Sequence, residues 1–295
     1  MRIGLQIPNF TYPGGSTELG AKLKAIVQTA DDGGFYSLWV MDHFFQIRGI
    51  GDPSNDMLES YSTLSYFAGL TSRVKLGALV TGVIYRYPGI LLKTVTTLDV
   101  LSSGRAYFGV GAAWFEDEAR GLGVPYPSTA ERFERLEETL KIARQMWSGS
   151  TETYLGEHFQ LENAMCRPLP LSKPHPPIMI GGMGERKTLR LVAQYADANN
   201  LFLHAGIDTI KNKLATLKQH CEVIGRPYSD IEKTALGTVE PGKQSAAEII
   251  EICHQSAEAG IEHIIFNMPN VHEIAPLELF AREIIPAVAE LQAAH

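Results

Sequence analysis

The run SLWVMDHFF, residues 37–45, carries an apolar stretch straight into a carboxylate and an imidazole, Asp42 and His43. An imidazole titrates near neutral pH and can donate or accept a proton at a substrate oxygen. Neighbours on a strand point to opposite faces, so the two do not form a ready-made dyad. His43 is expected to enter a site as its catalytic group. Asp42 is expected to fix the backbone beside it. A second signal is IGGMGERKTLRL, residues 180–191, which reads as strand, glycine turn and helix. Backbone N–H groups at such a turn attract phosphate, and glycine lets it come close. Gly181, Gly182, Met183 and Gly184 are therefore candidates for holding a phosphorylated cofactor. The other reading is a tight turn that needs positive φ. The segment is neither a G-x-x-x-x-G-K-[ST] loop nor placed after the first strand, as a dinucleotide loop would be.

These groups need elements to position them. Short, nearly continuous apolar runs at 2–9, 37–44, 74–82, 106–113, 176–182, 198–203, 234–239 and 263–269 read as strands buried on both faces. Helical patterns alternate with them. One places Leu19, Leu23, Ile26 and Ala30 on a single face; another begins at a capping box of Ser128 and Glu131. Eight strand–helix units predict a (β/α)8 TIM barrel, an α/β fold, as a single domain over 1–295. An insertion at about 148–177, between helix 4 and strand 5, contains a small hairpin and is expected to lie over the site. Active sites in this fold lie at the carboxyl ends of the strands. Those ends offer Asn9, Phe10, Phe44, Trp114 and Phe115, then Asn200, Phe202, His204, Glu240 and Asn267. The set is aromatic and amide-rich, which suits a flat, largely uncharged ring.

Composition narrows the classes. The chain has 295 residues, 45% hydrophobic and 20% charged, with a formal net charge of −7. The balance is globular, and the negative charge argues against nucleic acid as a partner. No apolar run is long enough to span a bilayer. The start MRIGLQIPNF reads as a strand, not a signal peptide. Cys166, Cys221 and Cys253 show no metal spacing, and a sparse thiol set suggests a cytoplasmic protein. The histidines form no metal-ligand pattern, so no metal is expected. A G-x-S-x-G elbow is absent.

Over nearly its whole length the sequence resembles the bacterial luciferase-like monooxygenase family. The segments that carry the likeness are SLWVMDHFF, VKLGALVTGVIYRYPGILLKTVTTLDVLSSGRAYFGVGAAW, GLGVPYPSTAERFERLEE and PHPPIMIGGMGERKTLRLVAQYAD. Within the family it looks most like the coenzyme F420-dependent oxidoreductases. The resemblance implies hydride transfer between coenzyme F420 and a small substrate, with an FMN-dependent monooxygenase as the alternative. It implies that His43 lies beside the reactive ring. It also implies that Leu79, Val80 and Thr81 support that ring, with a non-proline cis peptide at Leu79–Val80, and that Gly181 and Gly182 bind the phosphate. Asn9 and Asp42 join the cofactor-binding candidates. Where some sugar-phosphate dehydrogenases of the family carry an acid after the GVG of strand 4, this chain has Trp114, with Glu116 two residues later. That proton donor and substrate are therefore not carried over. Phe10, Phe44, Trp114 and Phe115 would instead form a pocket for an apolar or aromatic substrate. An acidic cofactor tail would want cations at the mouth, with Arg86, Arg120, Arg186 and Lys187 as candidates. Two readings from other classes are a non-redox barrel enzyme using His43 and Glu59, and a non-catalytic flavin-binding protein. A homodimer is expected from family habit, with ESYSTLSYFAGLTS, residues 59–72, as a contributing surface.

Overall fold

The computed structural model describes residues 1–294. Eight parallel staves form a closed barrel: β1 Arg2–Ile7, β2 Ser37–Val40, β3 Lys75–Ala78, β4 Ala106–Gly111, β5 Ile178–Gly181, β6 Ala198–Phe202, β7 Glu232–Thr238 and β8 His263–Asn267. The third stave resumes at Thr81–Gly82 after a bulge and pairs there with β4. Closure comes from Leu76 opposite Ala106, while Gly4 opposite Ser37 sets the β1–β2 register. The expected (β/α)8 barrel is thus the fold. The helices around it include α1 Gly15–Asp32, α2 Ser60–Leu70, α3 Pro88–Leu101, α4 Glu116–Gly121, α5 Thr129–Ser148, α6 Thr188–Tyr195, α7 Ile207–Ile224 and α8 Ala246–Glu258. The short α4 interrupts the alternation and was not legible as a periodic pattern, because six residues carry too little of it. Leu19, Leu23, Ile26 and Ala30 of α1 are all buried, as their spacing requires. Only half of the Ser128 box forms. Its hydroxyl accepts the Glu131 N–H at 3.2 Å, but the Glu131 carboxylate turns to Arg135.

Inside the barrel Trp39, Leu79, Tyr107, Met179, Ala198 and Ile265 make a separate plug. Towards the amino-terminal end of the staves the filling is polar. Trp39 Nε1 donates to Ser37 Oγ at 2.7 Å, Ser37 meets His263 Nε2 at 2.9 Å, and His263 Nδ1 meets Glu232 at 2.9 Å. Burying these groups is tolerable because each has a partner.

The insertion does not cover the barrel mouth. Its hairpin forms as expected, Tyr154–Leu155 against Gln160–Leu161. Side chains of α3 and α5 pin the segment to the outer wall: Asp99 accepts the N–H groups of Leu171 and Ser172, and Glu138 accepts those of Glu157 and Phe159. The fold also brings His158 to Glu134 at 3.0 Å on this outer surface, a meeting that their separation in sequence concealed. The apolar residues of the candidate dimer segment are partly consumed within the chain, since Leu64, Phe67 and Ala68 are buried.

The bulge after Ala78 contains the cis peptide Leu79–Val80 that the resemblance implied. Glycines of the neighbouring staves make room for it. A Cβ on Gly109 would lie 2.0 Å from the Ala78 carbonyl oxygen, and one on Gly111 would lie 2.9 Å from Val80 Cγ2. Backbone cannot rotate aside as a side chain can. Gly109→Ala should therefore destabilise the fold by about 2–3 kcal/mol or prevent folding, measured by denaturant unfolding. A change within about 0.5 kcal/mol would show that the bulge is not held by this close approach.

Candidate active site

The carboxyl ends of the staves surround a cavity of about 580 Å³. Its walls are mainly apolar, including Met41, Leu79, Val80, Trp114, Phe133 and Leu236. His43 stands in this wall with its ring edge-on to Trp114 at 5.4 Å and to Phe115 at 5.8 Å between centroids. His43 Nδ1 lies 3.3 Å from Oε1 of Glu118, a fully buried carboxylate on α4. The same carboxylate accepts the N–H groups of Phe44 at 2.7 Å and Phe45 at 2.9 Å, and the Tyr85 hydroxyl. Burial on its own would raise the Glu118 pKa. The bonds from His43, Phe45 and Tyr85 outweigh it and hold the carboxyl below its usual range. An ionised Glu118 can only accept, so Nδ1 of His43 carries the hydrogen and the Nε2 lone pair of the neutral ring is left for a ligand. Burial and the bond to Glu118 push the Tyr85 phenol well up, so it remains a donor.

Asp42 has the opposite fate. Arg86 grips both its oxygens, at 2.8 and 2.9 Å, while Ser60 Oγ and the Gly82 N–H complete the shell at 2.6 and 3.1 Å. Both neighbours line the cavity, and the Asp42 carboxylate in addition ties the end of β2 to α2 and the third stave. That carboxylate already accepts four hydrogen bonds. Arg86 is withdrawn from the mouth. It also bonds Glu59 at 2.5 Å, and Glu59 caps α2 through the Ser62 N–H.

Other candidates separate in the same way. Leu79, Val80, Gly181, Gly182 and Trp114 line the cavity, together with Asn200, Phe202 and Asn267. Thr81 does not. It is fully buried with Oγ1 2.7 Å from the Tyr61 hydroxyl. Phe10, in the loop after β1, is a core residue at 1% exposure and is not part of the cavity wall. Phe44 packs edge-on to Tyr85 at 5.3 Å, and Phe115 stacks behind Trp114 at 5.3 Å; neither forms the wall. Asn9 spends Oδ1 on the Thr11 N–H at 2.9 Å and borders a smaller adjoining cavity. Met183 and Gly184 lie outside the main cavity, in a groove shared with Arg186, Lys187 and Lys213. Arg120 pairs with Glu116 at 2.6 Å on the exposed side of α4. Glu240 pairs with Lys243 at 2.6 Å and stands away from the cavity, as does His204 on the turn after β6.

Three residues of the candidate site were not singled out from the sequence. Glu118 hides among the acids of EDEARG; its signal was a charge at the position where a short helix turns back to the barrel. Tyr85, in the YRYP segment, completes its shell. Arg132 of α5 lines the cavity and donates to Ala112 O at 3.1 Å and Pro127 O at 2.7 Å.

The glycine turn fits a phosphate. Gly182 has φ +121°, and a Cβ on Gly184 would press to 3.0 Å from Thr188 Oγ1, so side chains there would fill the cradle. Asn199 Nδ2 steers the turn through Ile180 O at 3.0 Å and Gly182 O at 3.3 Å. Arg186 and Lys187 border the same groove, where they would meet further negative charge.

With this geometry in view, comparisons with known proteins decide the family. The model of the luciferase-like monooxygenase family matches residues 1–272. The chain belongs to that family. It is 31% identical over 219 residues to an F420-dependent glucose-6-phosphate dehydrogenase of Kineococcus radiotolerans, covering 72% of this chain and 62% of that one. It is 30% identical over 185 residues to the pyrimidine monooxygenase RutA of Acinetobacter baylyi, covering 61% and 48%. The chain thus spans less than two thirds of the length of these curated relatives. Among solved structures, an F420-dependent secondary alcohol dehydrogenase bound to an F420–acetone adduct superposes with TM-score 0.82 at 22% identity, over 97% of this chain and 98% of that one. At that identity the likeness speaks for the fold. No helix among the described residues is long and apolar enough to cross a membrane.

Glu118 makes an acid-stability prediction. A carboxyl held below its ordinary range stabilises the fold fully above the unfolded glutamate pKa, and that contribution fades as pH falls through the folded value. Glu118→Gln should therefore cost stability at pH 7 but progressively less below about pH 4. Urea unfolding at several pH values checks this; a variant-to-wild-type difference that stays constant with pH would contradict it.

Proposed function

We propose that this protein is an oxidoreductase that transfers a hydride between coenzyme F420 and an uncharged, largely apolar small organic substrate. The observation that carries this reading is the His43–Glu118 pair at the edge of a large apolar cavity whose other wall is the Gly181–Gly182 turn. The sequence likeness to F420-dependent enzymes supports the cofactor. When bound, the deazaflavin ring supplies the hydride chemistry.

The chain's own groups do the rest. Gly181, Gly182 and Gly184 hold the phosphate, and Arg186 and Lys187 meet the acidic tail. Leu79 and Val80 support the ring at the bulge. The apolar walls exclude water, which strengthens every polar interaction left inside. Glu118 keeps the hydrogen of His43 on Nδ1, so Nε2 takes a proton from a substrate oxygen or returns one to it. Trp114 is 61% exposed and lines the cavity, so it can close over an apolar substrate. The alternative, an FMN-dependent monooxygenase, is favoured by the likeness to the Acinetobacter enzyme. A homodimer and a cytoplasmic location belong to this proposal as accompanying expectations.

The first experiment is a parallel fluorescence titration of the purified protein with coenzyme F420 and with FMN. Tight binding of F420 alone is the expected result; preference for FMN moves the protein to the monooxygenase branch. Arg186→Ala with Lys187→Ala should weaken F420 about tenfold and FMN less, because only the longer tail reaches both cations. Equal losses would take the tail out of that groove. His43→Ala should lower turnover by about 10²–10⁴-fold if Nε2 moves the proton. Glu118→Gln should lower it by about 10–100-fold, with kcat affected more than KM. An unchanged kcat in either variant removes that residue from the chemistry.

A further inference from the structure

Three carboxamides stand in the floor of the main cavity: Gln6 on β1, Asn200 on β6 and Asn267 on β8. Strand alternation puts two of them there. Ala198 and Ile265 belong to the plug, so Asn200 and Asn267, two residues on in each strand, also point inward, one layer nearer the mouth. Gln6 is the register partner of Asn267. Leu79 and Leu236 line the same cavity and pack with the plug. Among these carboxamides there is one hydrogen bond of ordinary length, from Thr234 Oγ1 to Asn200 Oδ1 at 2.9 Å. Gln6 Nε2 to Leu79 O and Asn267 Nδ2 to Gln6 Oε1 are both 3.5 Å, longer than the usual range of about 2.7–3.2 Å. Gln6 and Asn200 are buried, and buried polar groups are seldom left so poorly paired unless a ligand completes them.

The existing contacts fix what the floor offers. A carbonyl oxygen only accepts, so Leu79 O turns Gln6 Nε2 towards itself and leaves Gln6 Oε1 facing Asn267. That oxygen needs a donor, so Asn267 points Nδ2 at it and keeps Oδ1 free. Asn200 uses Oδ1 on the Thr234 hydroxyl and keeps Nδ2 free. Neither free atom is among the wholly enclosed unpartnered atoms of the described residues, so both keep open surface. The floor therefore presents one donor and one acceptor, both neutral, on staves separated by β7. Arg132, the cation of the lining, stands elsewhere: it comes from α5 and bonds Ala112 O after β4, across the barrel from β8.

We propose that this floor recognises a –CO–NH– group of the substrate, as in a lactam, a cyclic imide or a ureide. Asn200 Nδ2 donates to its carbonyl oxygen, and its N–H donates to Asn267 Oδ1. The proposal rests on the function given above and names the polar group of an otherwise apolar substrate. A ketone or a carboxylate brings no donor for Asn267, and a hydroxyl carries donor and acceptor on a single atom. A –CO–NH– group holds them on separate atoms, as two different staves require.

The probes are oxindole, a lactam, and 2-indanone, the same bicycle with CH2 in place of N–H. Their binding to the purified chain is read by ligand-detected NMR saturation transfer, with coenzyme F420 absent and present. Oxindole should bind wild type about five- to tenfold more tightly than 2-indanone. Asn267→Leu removes the acceptor at similar volume; it should bring oxindole down to the level of 2-indanone and leave 2-indanone unchanged, which also shows that the variant is folded. Asn200→Leu removes the donor and should weaken both probes about five- to tenfold. Should Asn200→Leu fail to fold, the contrast between the probes in Asn267→Leu decides alone. Equal binding of the two probes to wild type, or an equal loss of both in Asn267→Leu, overturns the proposal. Displacement of oxindole by F420 also overturns it, because the pyrimidinedione of the cofactor carries the same –CO–NH– group and would then be what the floor holds. F420 binding is read separately by its fluorescence. If no F420 binds but the contrasts between the probes hold, the cofactor reading fails and the floor reading stands.

Discussion

One buried carboxylate organises the mouth of this barrel. Glu118 accepts four hydrogen bonds, from the His43 ring, the Phe44 and Phe45 amides and the Tyr85 hydroxyl. That set uses about all the lone-pair capacity a carboxylate has. A charge buried without such partners would cost several kcal/mol and would neutralise instead. With them it stays ionised and dictates the geometry around it. The loop after β2 is held by its amides, the tautomer of His43 is set, and Tyr85 is kept as a donor. Removing the charge would loosen all three together.

A second buried pair works in parallel and explains why consecutive residues have different tasks. Asp42 is clamped bidentately by Arg86, which also reaches Glu59 at the start of α2. A clamped pair of this kind is a poor source of net stability but a strong constraint on geometry. It fixes the chain just after β2, where Met41, Asp42 and His43 all line the cavity. The cavity walls are mainly apolar, with the Arg132 guanidinium and the amides of Gln6, Asn200 and Asn267 also in the lining.

The glycines of the barrel are spacing devices more than flexible points. Gly77 faces the Trp39 ring, where a Cβ would come within 2.4 Å, and Gly109 faces the Ala78 carbonyl. Gly181 borders Val80, with 3.0 Å left for a Cβ. The GVG of β4 therefore serves the bulge of the neighbouring stave, and the bulge presents Leu79 and Val80 to the cavity. The insertion, in contrast, is bolted to α3 and α5 and leaves the mouth open.

Sequence alone determined the eight staves, the helix faces and the placing of the site at the strand ends, because those depend on local hydrophobic period and on barrel closure. It also marked His43 and the 181–184 turn, while the Leu79–Val80 bulge came from the family resemblance. Tertiary structure alone decided which side chains are free. The side chains of Thr81, Asp42 and Arg86 are bonded by partners 20 to 44 positions away, although Asp42 still lines the cavity. Glu118 read as one acid among several until the fold brought it within 3.3 Å of His43, 75 residues earlier. A periodic pattern records which face a residue occupies; it holds no record of the partner that arrives from another element, and in a buried polar site that partner determines the chemistry.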